Sequence, residues 1–173
     1  MVHRCNSVGV RIYVDAVVNH MTGTGRSGTA DGGSTYNSVG DARDFPGVPY
    51  SVEHFTPRDQ CPSGDGNVND YSTPANVSNC YLVSLTDLYG KLDYVREAVA
   101  GYFNHLIQVG VAGIRIDAAK HMWPEDVAAI LSRLNDLPFD QGFPAGSKFY
   151  VFQEALIKTT AQLKSTNTTI QDT

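Results

Sequence analysis

The sequence predicts an α/β fold in which helices cover a parallel sheet, as in a barrel or a doubly wound sheet. Segments typical of strands and amphipathic helices follow one another in the order strand, long polar insert, helix, strand, helix, strand, and such alternation is typical of parallel sheets. No glycine-rich phosphate loop follows any of these strands, which favours a barrel over a nucleotide-binding fold. The 173 residues and 42% hydrophobic content suit one globular domain.

The first strand and the insert after it differ in composition. "GVRIYVDAVVNH", Gly9 to His20, is rich in valine and isoleucine and is typical of a buried strand with polar residues at its end. Residues 21–90 are instead dominated by Gly, Ser, Asn, Asp, Thr and Pro. A structureless connection of that length is uncommon inside a compact domain, so we expect a small subdomain that is irregular or has short strands.

Two helices and two further strands are predicted after the insert. Apolar residues within 91–110 recur at helical spacing, and Gly110 suits the C-terminal cap. The inward stripe of this helix is expected to be Leu92, Val95, Val99, Tyr102, Phe103, Leu106 and Ile107. A strand follows at 111–119, then a helix at 123–137 with a proline in its first turn, and a third strand at 148–156. The apolar face of the second helix is expected to be Val127, Ile130, Leu131 and Leu134.

The composition argues against several classes of function. Thirteen basic and eighteen acidic residues give a formal charge of -5, and the basic residues form no stripe, which argues against a nucleic-acid surface. No stretch is long and apolar enough to cross a bilayer, and the first residues do not resemble a signal peptide. The three cysteines are an odd number, which in a secreted protein implies a free thiol or a partner outside this chain.

Polar residues collect at the ends of the predicted strands, where barrels carry their chemistry. These residues are Asn19, His20, Asp117, Lys120, His121 and Glu154. Each of them has a plainer explanation when taken alone: a strand-end aspartate often caps a helix, a lone glutamate is often solvated, and a lone histidine is usually structural. Their recurrence at the same end of three strands favours a functional site there.

Asp117 and Glu154 are the candidates for the pair of carboxyl groups that a glycoside hydrolase needs. They end consecutive strands, and because neighbouring strands lie about 4.8 Å apart, the carboxyl groups can approach to about 5 to 5.5 Å, as in retaining glycosidases. Arg115 shares a strand face with Asp117 and favours its ionised form, which a nucleophile requires. Glu154 follows the apolar "FYVF" and is expected to be partly desolvated and protonated, which a general acid requires.

Three segments resemble signature segments of the α-amylase family. They are "VDAVVNH" at Val14 to His20, "GIRIDAAKH" at Gly113 to His121 and "FQEAL" at Phe152 to Leu156, in the right order and at the expected strand ends. "RDFPGVPYS" and "AGYFNHLIQVGVAGIRIDAAKHMWPED" resemble the animal-type enzymes in particular. The resemblance covers nearly the whole chain and implies part of the catalytic (β/α)8 TIM barrel, with about three of its strands.

The resemblance divides the chain into four stretches. Residues 1–20 correspond to a turn and a barrel strand, and residues 21–90 correspond to the irregular domain B of the family. Residues 91–156 correspond to helix, strand, helix and strand of the barrel, whereas residues 157–173 do not resemble the family and form a divergent tail.

The resemblance also implies roles for individual residues. Asp117 matches the catalytic nucleophile and Glu154 the general acid/base. The substrate contacts of the family match His20, Tyr71, Lys120 and His121. Arg115 matches the arginine that holds the nucleophile and that binds chloride in chloride-dependent members. Because this arginine also occurs in chloride-independent relatives, it leaves the use of chloride open.

One structural calcium ion is implied by the same resemblance. Asn19 and Asp87 match ligands that use side-chain oxygens, and Ser78 and His121 match positions that offer backbone carbonyls. Oxygen ligands of this kind are those that Ca²⁺ prefers. The ion ties domain B to the barrel in the family.

The cysteines and two glycosylation sequons complete the sequence-based expectations. Cys61 and Cys80 match a domain B disulfide of the family, and Cys5 matches a cysteine whose partner lies earlier in the full enzyme. Asn76-Val77-Ser78 and Asn167-Thr168-Thr169 fit the N-glycosylation sequon. Sequons this short often arise by chance, so we expect neither to be used.

The expected function is endo-hydrolysis of α-1,4-glucosidic bonds in starch, glycogen or malto-oligosaccharides by a retaining double displacement. The parent enzyme is expected to be secreted and monomeric, without nucleic-acid or membrane partners. The chain lacks the third acid and most of the barrel strands of the family, so we expect an inactive fragment. The alternatives are a related α-glucosidase-type hydrolase of short sugars and a non-catalytic remnant that binds calcium or carbohydrate.

Overall fold

The computed structural model describes residues 1–155, so the stretch 157–173 and the sequon at Asn167 lie outside the described residues. The elements in chain order are α1 (Val2–Asn6), β1 (Tyr13–Ala16), β2 (His20–Gly23), β3 (Ser27–Thr29), β4 (Thr35–Asn37), α2 (Pro74–Asn79), β5 (Leu85–Asp87), α3 (Asp93–Gln108), β6 (Gly113–Ile116), α4 (Pro124–Leu131) and β7 (Tyr150–Gln153). Single 3-10 turns cover Val52–His54, Arg58–Gln60, Leu82–Ser84, Ala119–His121 and Phe139–Gln141. None of the helices described is long and apolar enough to span a membrane.

The centre of the structure is a parallel sheet in which β6 lies between β1 and β7. The register aligns Ala16 with Ile116 and Ile116 with Gln153. The connection from β1 to β6 contains α3, and the connection from β6 to β7 contains α4. The prediction of parallel strands alternating with helices is therefore confirmed.

The two faces of this sheet have different environments. Ile114 and Ile116 point towards the helices and are 0% and 1% exposed, so they form the centre of the hydrophobic core with Phe103 of α3. Because successive side chains alternate between faces, Asp15 and Arg115 lie on the opposite face. That face carries the charged residues that are described below.

Helix α3 forms where the sequence predicts it. Its fully buried apolar residues include Val95, Val99, Phe103 and Ile107, and Gly110 follows its end with φ of 91°, which suits glycine. The prediction that Tyr102 points inward is wrong, because its side chain is 41% exposed. Tyr102 lies about 100° around the helix from Phe103, which places it outside the buried stripe.

Helix α4 begins at Pro124 as predicted but ends at Leu131, six residues before the predicted end at position 137. The cause is the side chain of Asn104 on α3. Its Oδ1 accepts the backbone N–H of Asn135 at 2.8 Å, and its Nδ2 donates to the carbonyl of Arg133 at 3.0 Å. These bonds satisfy backbone groups outside a helix, so the chain leaves α4 and passes over α3.

The first predicted strand is shorter than expected. Strand β1 covers Tyr13–Ala16 only, whereas the prediction extended to His20. His20 begins β2, which pairs antiparallel with β5 and aligns His20 with Asp87. The turn expected before β1 contains the five-residue helix α1.

Short strands and turns fill the polar segment between β1 and α3. Strands β3 and β4 form an antiparallel pair, and Cys61 is bonded to Cys80 in the disulfide that the sequence resemblance implied. Arg43 is 7% exposed and donates to the hydroxyl of Tyr81 at 2.7 Å. Cys5 has a free thiol within the described part of the chain.

Truncation of two adjacent aromatic residues, Phe103 and Tyr102, should lower the free energy of unfolding by very different amounts. Phe103→Ala should lower the free energy of unfolding by about 3 to 5 kcal/mol, because it removes a fully buried ring and leaves a cavity. Tyr102→Ala is the matched control and should cost much less, because the ring is largely in solvent. Urea unfolding of both variants measures the difference, and equal losses would contradict the described packing.

Candidate active site

One arginine side chain holds three carboxylates at the C-terminal edge of the parallel sheet. Nη1 of Arg115 lies 2.6 Å from both carboxylate oxygens of Asp15 and 3.2 Å from Oδ1 of Asp117, and Nη2 lies 2.9 Å from Oε1 of Glu154. The strand register explains this arrangement. Asp15 is aligned with Arg115 in the neighbouring strand, and Glu154 follows Gln153, the partner of Ile116.

The predicted pair of carboxyl groups is therefore brought together. The side chains of Asp117 and Glu154 are each 26% exposed, so both are accessible from the open face of the sheet. The Glu154 N–H donates to the Ile116 carbonyl at 2.9 Å, which extends the ladder between the strands to the residues of the pair. Arg115 contacts both carboxyl groups, so one guanidinium lies between the two members of the pair.

The expectation that Glu154 is held protonated is wrong. The backbone N–H of Ala118 donates to Oε2 of Glu154 at 3.0 Å and is the main cause that lowers the pKa of this carboxyl group below its ordinary value. The nearby charge of Arg115 acts in the same direction. Ala118 adopts φ of 51°, a left-handed conformation that is unusual for a residue with a side chain and that turns its N–H towards the site.

His20 and His121 are both buried deeply enough to favour their neutral forms. Burial is the main cause that lowers the pKa of each imidazole, although Asp117 acts in the opposite direction on both. His121 is 7% exposed, and its Nδ1 donates to the carbonyl of Val77 at 2.8 Å. Helix α2 therefore fixes the orientation of a ring beside the carboxylates.

Tyr71 and Lys120, the other two predicted substrate contacts, lie against His121. The ring centres of Tyr71 and His121 are 6.0 Å apart in an edge-to-face arrangement. The ammonium of Lys120 lies 4.9 Å from the centre of the Tyr71 ring, within the range of a cation–π interaction. Of the four predicted contact residues, His20 and His121 thus interact with Asp117, and Tyr71 and Lys120 pack next to His121.

Asn19 and Asp87 lie together at the base of the site. Asp87 is 2% exposed, and its Oδ2 accepts the hydroxyl of Thr56 at 2.7 Å. Burial raises the pKa of the Asp87 carboxyl group well above its ordinary value, and the hydrogen bonds with the Thr56 hydroxyl and the Asn19 amide offset this only in part. A buried carboxyl group of this kind suits a bound cation.

The donors around Asp87 fit a calcium ion. Asn19, Ser78 and His121 line one small cavity, and Thr56 borders the same space. Within the described residues, no three side chains of His, Cys, Asp or Glu cluster to hold a metal. The expected ligand set has only Asp87 acting through such a side chain, because its other oxygens come from an amide and two carbonyls.

The surroundings of Arg115 do not suit a chloride ion in the way that those of Asp87 suit calcium. The guanidinium contacts three carboxylates in the part of the chain described, and these supply negative charge instead of further cationic donors. The use of chloride therefore remains a prediction from the resemblance, and no step of chemistry is assigned to it.

Two contributors to the site were not predicted. Asp15 was passed over because an aspartate in mid-strand has no distinctive motif, although its register with Arg115 follows once the strands are paired. The N–H of Ala118 contributes through its backbone conformation, which no residue type signals. Both features depend on neighbouring elements instead of on local sequence.

The parallel sheet with helices in its connections and polar residues at its C-terminal edge is the arrangement found in (β/α) barrel enzymes. Residues 1–168 match the family described as "Alpha amylase, catalytic domain". The chain belongs to this α-amylase catalytic-domain family. The three strands and their helices are a section of the (β/α)8 barrel of that domain.

Animal α-amylases are among the similar proteins. The chain is 51% identical over 156 residues to an α-amylase of Pecten maximus and 50% identical over 157 residues to the human pancreatic α-amylase. Each alignment covers 90% of this chain and 30% of the relative. The chain therefore spans about 30% of the length of the curated relatives that it matches.

Solved structures of α-amylases are also similar to this chain. The crystal structure of α-amylase I from Eisenia fetida matches with a TM-score of 0.87 and 48% identity, over 92% of this chain and 31% of that protein. A mutant of the same enzyme in complex with maltohexaose matches with a TM-score of 0.86. An α-amylase from Malbranchea cinnamomea, at 19% identity and a TM-score of 0.60, shares the fold.

The pKa of Glu154 predicts a pH dependence of stability. A carboxyl group whose pKa is lowered by folding stabilises the folded chain above its ordinary pKa, and this contribution disappears as the pH falls through the lowered value. The wild-type chain should therefore lose more stability than Glu154→Gln when the pH falls from 7 to 3. Urea midpoints at both pH values measure this, with Glu125→Gln as the control. Parallel losses in wild type and Glu154→Gln would contradict the Ala118 and Arg115 contacts.

Proposed function

We propose that the whole protein containing this chain is an α-amylase that hydrolyses internal α-1,4-glucosidic bonds of starch, glycogen and malto-oligosaccharides, with retention at the anomeric carbon. The observation that carries the proposal is the meeting of Asp117 and Glu154 at one guanidinium, in a chain about 50% identical to animal α-amylases. A retaining mechanism needs two carboxyl groups on neighbouring strands that approach closely.

Asp117 is the nucleophile of this proposal. Arg115 contacts its carboxylate, and an oxygen of that carboxylate attacks the anomeric carbon as the bond to the leaving sugar breaks. Glu154 gives its proton to the leaving oxygen in the same step. Water then loses a proton to Glu154 and attacks the anomeric carbon, which releases Asp117 and restores the starting protonation.

Glu154 must take up a proton before it can act as an acid. In the absence of substrate, the N–H of Ala118 and the charge of Arg115 lower the pKa of Glu154. A sugar ring over the site excludes water from the carboxyl groups, and desolvation raises the pKa of a carboxylic acid. Substrate binding therefore favours the protonated form that the first step consumes.

The remaining polar residues hold the sugar in this proposal. His20 and His121 have lowered pKa values and are neutral near pH 7. The Nδ1 hydrogen of His121 is donated to Val77, so its Nε2 can accept from a sugar hydroxyl. The Nδ1 of His20 accepts from the Asn19 amide at 3.3 Å, so its Nε2 hydrogen can be donated to one. Lys120 and Tyr71 add an ammonium donor and a ring face on the same side. Sugars commonly use both kinds of contact, hydroxyl hydrogen bonds and packing against aromatic rings.

Kinetics of two variants test the proposed roles. Glu154→Gln should lower the rate of starch hydrolysis by about 10²- to 10⁴-fold, because it removes the acid/base, and Asp117→Asn should lower it at least as much. The variants are made in the longest protein that the transcript encodes, with Asp140→Asn as a surface control. Proton NMR of the first products should show the α anomer at the new reducing end.

The same assay separates the competing functions. An enzyme that cleaves maltose faster than long polymer is an α-glucosidase, and a wild-type protein that hydrolyses neither substrate is not an amylase. Either result, or variants that retain the wild-type rate, would refute the proposal.

A calcium ion is proposed for the base of the site. Asn19 and Asp87 would hold it through side-chain oxygens, and Ser78 and His121 through their carbonyls. Support comes from the buried Asp87 carboxyl group, whose partners Thr56 and Asn19 in the described residues are neutral, and from the cavity lined by the other three residues. The ion would supply the missing positive charge and tie the segment 21–90, the proposed domain B, to the sheet.

Chelation tests the calcium proposal. Removal of Ca²⁺ by EDTA should lower the thermal midpoint of the wild-type protein, because a ligand that binds only the folded state stabilises it. Asp87→Asn should abolish most of this difference and should be no less stable than wild type without calcium, since the amide carries no charge to bury and keeps an oxygen that accepts the Thr56 hydroxyl. Asp65→Asn, at an exposed position, is the control and should respond to EDTA as wild type does. If EDTA leaves the thermal midpoint of the wild-type protein unchanged, the proposed calcium site is refuted.

Secretion and a monomeric state complete the proposal. The Cys61–Cys80 disulfide supports an oxidising compartment, because such bonds form and persist outside the cytosol.

A further inference from the structure

The side chain of Asn76 on α2 is a buried hydrogen-bonding centre that the proposed chemistry does not use. It is 5% exposed. Its Oδ1 accepts the backbone N–H groups of Asn69 at 3.0 Å and Asp70 at 3.2 Å, and its Nδ2 donates to the hydroxyl of Ser63 at 2.8 Å. One amide therefore joins two parts of the loop that precedes α2.

This amide acts directly on the residue before Tyr71. The N–H of Asp70 is fixed by Asn76, and Tyr71 follows at once in the chain. The next residue of α2, Val77, accepts the Nδ1 hydrogen of His121. Consecutive residues of α2 thus hold the two rings that pack edge to face, Tyr71 from one side and His121 from the other.

We infer that Asn76 is a positioning residue for substrate binding, which places Tyr71 against His121 and Lys120, and that its sequon is closed to glycosylation in the folded protein. The first part rests on the proposed function. Loss of the amide leaves two backbone N–H groups without their acceptor, so the loop relaxes and the Tyr71 ring leaves its position. The carboxylates at Arg115 make no contact with this loop amide. We therefore expect its loss to weaken substrate binding more than it slows the chemical step.

The sequon conclusion follows from the same three bonds. N-glycosylation joins a sugar to Nδ2 of the asparagine, the atom that donates to Ser63 in the interior. A bulky polar glycan cannot occupy a site where the side chain is 5% exposed. Asn76-Val77-Ser78 therefore matches the glycosylation sequon, but the Asn76 side chain is occupied by hydrogen bonds inside the folded protein.

Variants of Asn76 test the positioning role in the longest protein that the transcript encodes. Asn76→Ala should raise KM for maltohexaose about tenfold and change kcat less than about threefold, because it removes the acceptor for two N–H groups. Asn76→Asp keeps that acceptor, and the Ser63 hydroxyl can donate to it, so KM should stay within about threefold of wild type. Ser63→Ala, which removes a single partner, should raise KM about threefold.

A matched structural control separates positioning from general destabilisation. Asn6, the last residue of α1, is 7% exposed and donates to the Gly110 carbonyl at 2.9 Å, far from the loop in sequence. Asn6→Ala should lower the thermal midpoint but leave KM unchanged. If Asn6→Ala raises KM as much as Asn76→Ala, or if Asn76→Ala and Ser63→Ala both leave KM unchanged, the positioning role is refuted.

Two further measurements do not depend on activity. The protein secreted from a eukaryotic host should carry no glycan on Asn76, as measured by mass spectrometry of the peptide before and after enzymatic deglycosylation. An occupied Asn76 in folded protein refutes the inference. If the wild-type protein proves inactive on starch, the proposed function fails alone, and hydrogen exchange at Asn69 and Asp70 still decides the inference. Asn76→Ala should abolish the protection of these two N–H groups, and retained protection there refutes it.

Discussion

The cluster of three carboxylates on Arg115 is the interaction on which the site depends. Asp15, Asp117 and Glu154 converge from three adjacent strands, and like charges this close would repel one another or take up protons without a cation among them. The arginine is tolerated in a strand because its charge lies on the open face with these partners, while the isoleucines on either side are buried. A shift of one residue in either strand pairing would move the acids to the helix side, so the register and the chemistry are coupled.

The other half of the site comes from the polar segment between β1 and α3. Helix α2 holds the His121 ring through the Val77 carbonyl, and Asn79 accepts the indole N–H of Trp123 at 2.7 Å. The Cys61–Cys80 disulfide restricts the loop that leads into this helix. Helix α2 is thus anchored to the residues that follow β6, and the rings of Tyr71 and His121 lie at the junction. This explains why loss of order in the segment should weaken binding before it affects the carboxylates.

Local patterns predicted the elements well where a single face is buried. Helix α3 and the strands β6 and β7 were located because their apolar residues recur at a regular spacing that burial requires. The end of α4 was missed because Asn104, 31 positions before Asn135, supplies the bonds that stop it. The exposed Tyr102 was assigned inward because an aromatic residue at the edge of a stripe fits either environment. The prediction that Glu154 is protonated was wrong because the donor that lowers its pKa is the backbone N–H of Ala118, which lies in the turn after β6.

The sequence by itself determined the alternation of strands and helices, the identities of the polar residues at the strand ends and the family to which these segments belong. It did so because spacing and residue type are local properties that burial and chemistry act on directly. Tertiary structure decided which charges meet, which groups keep their protons and where each element stops. Those outcomes depend on contacts between residues far apart in the chain, such as Asp15 with Arg115 and Asn76 with the loop before it. Such contacts stabilise the protein only after the strands have paired and the junction has lost its water, so local sequence does not reveal them.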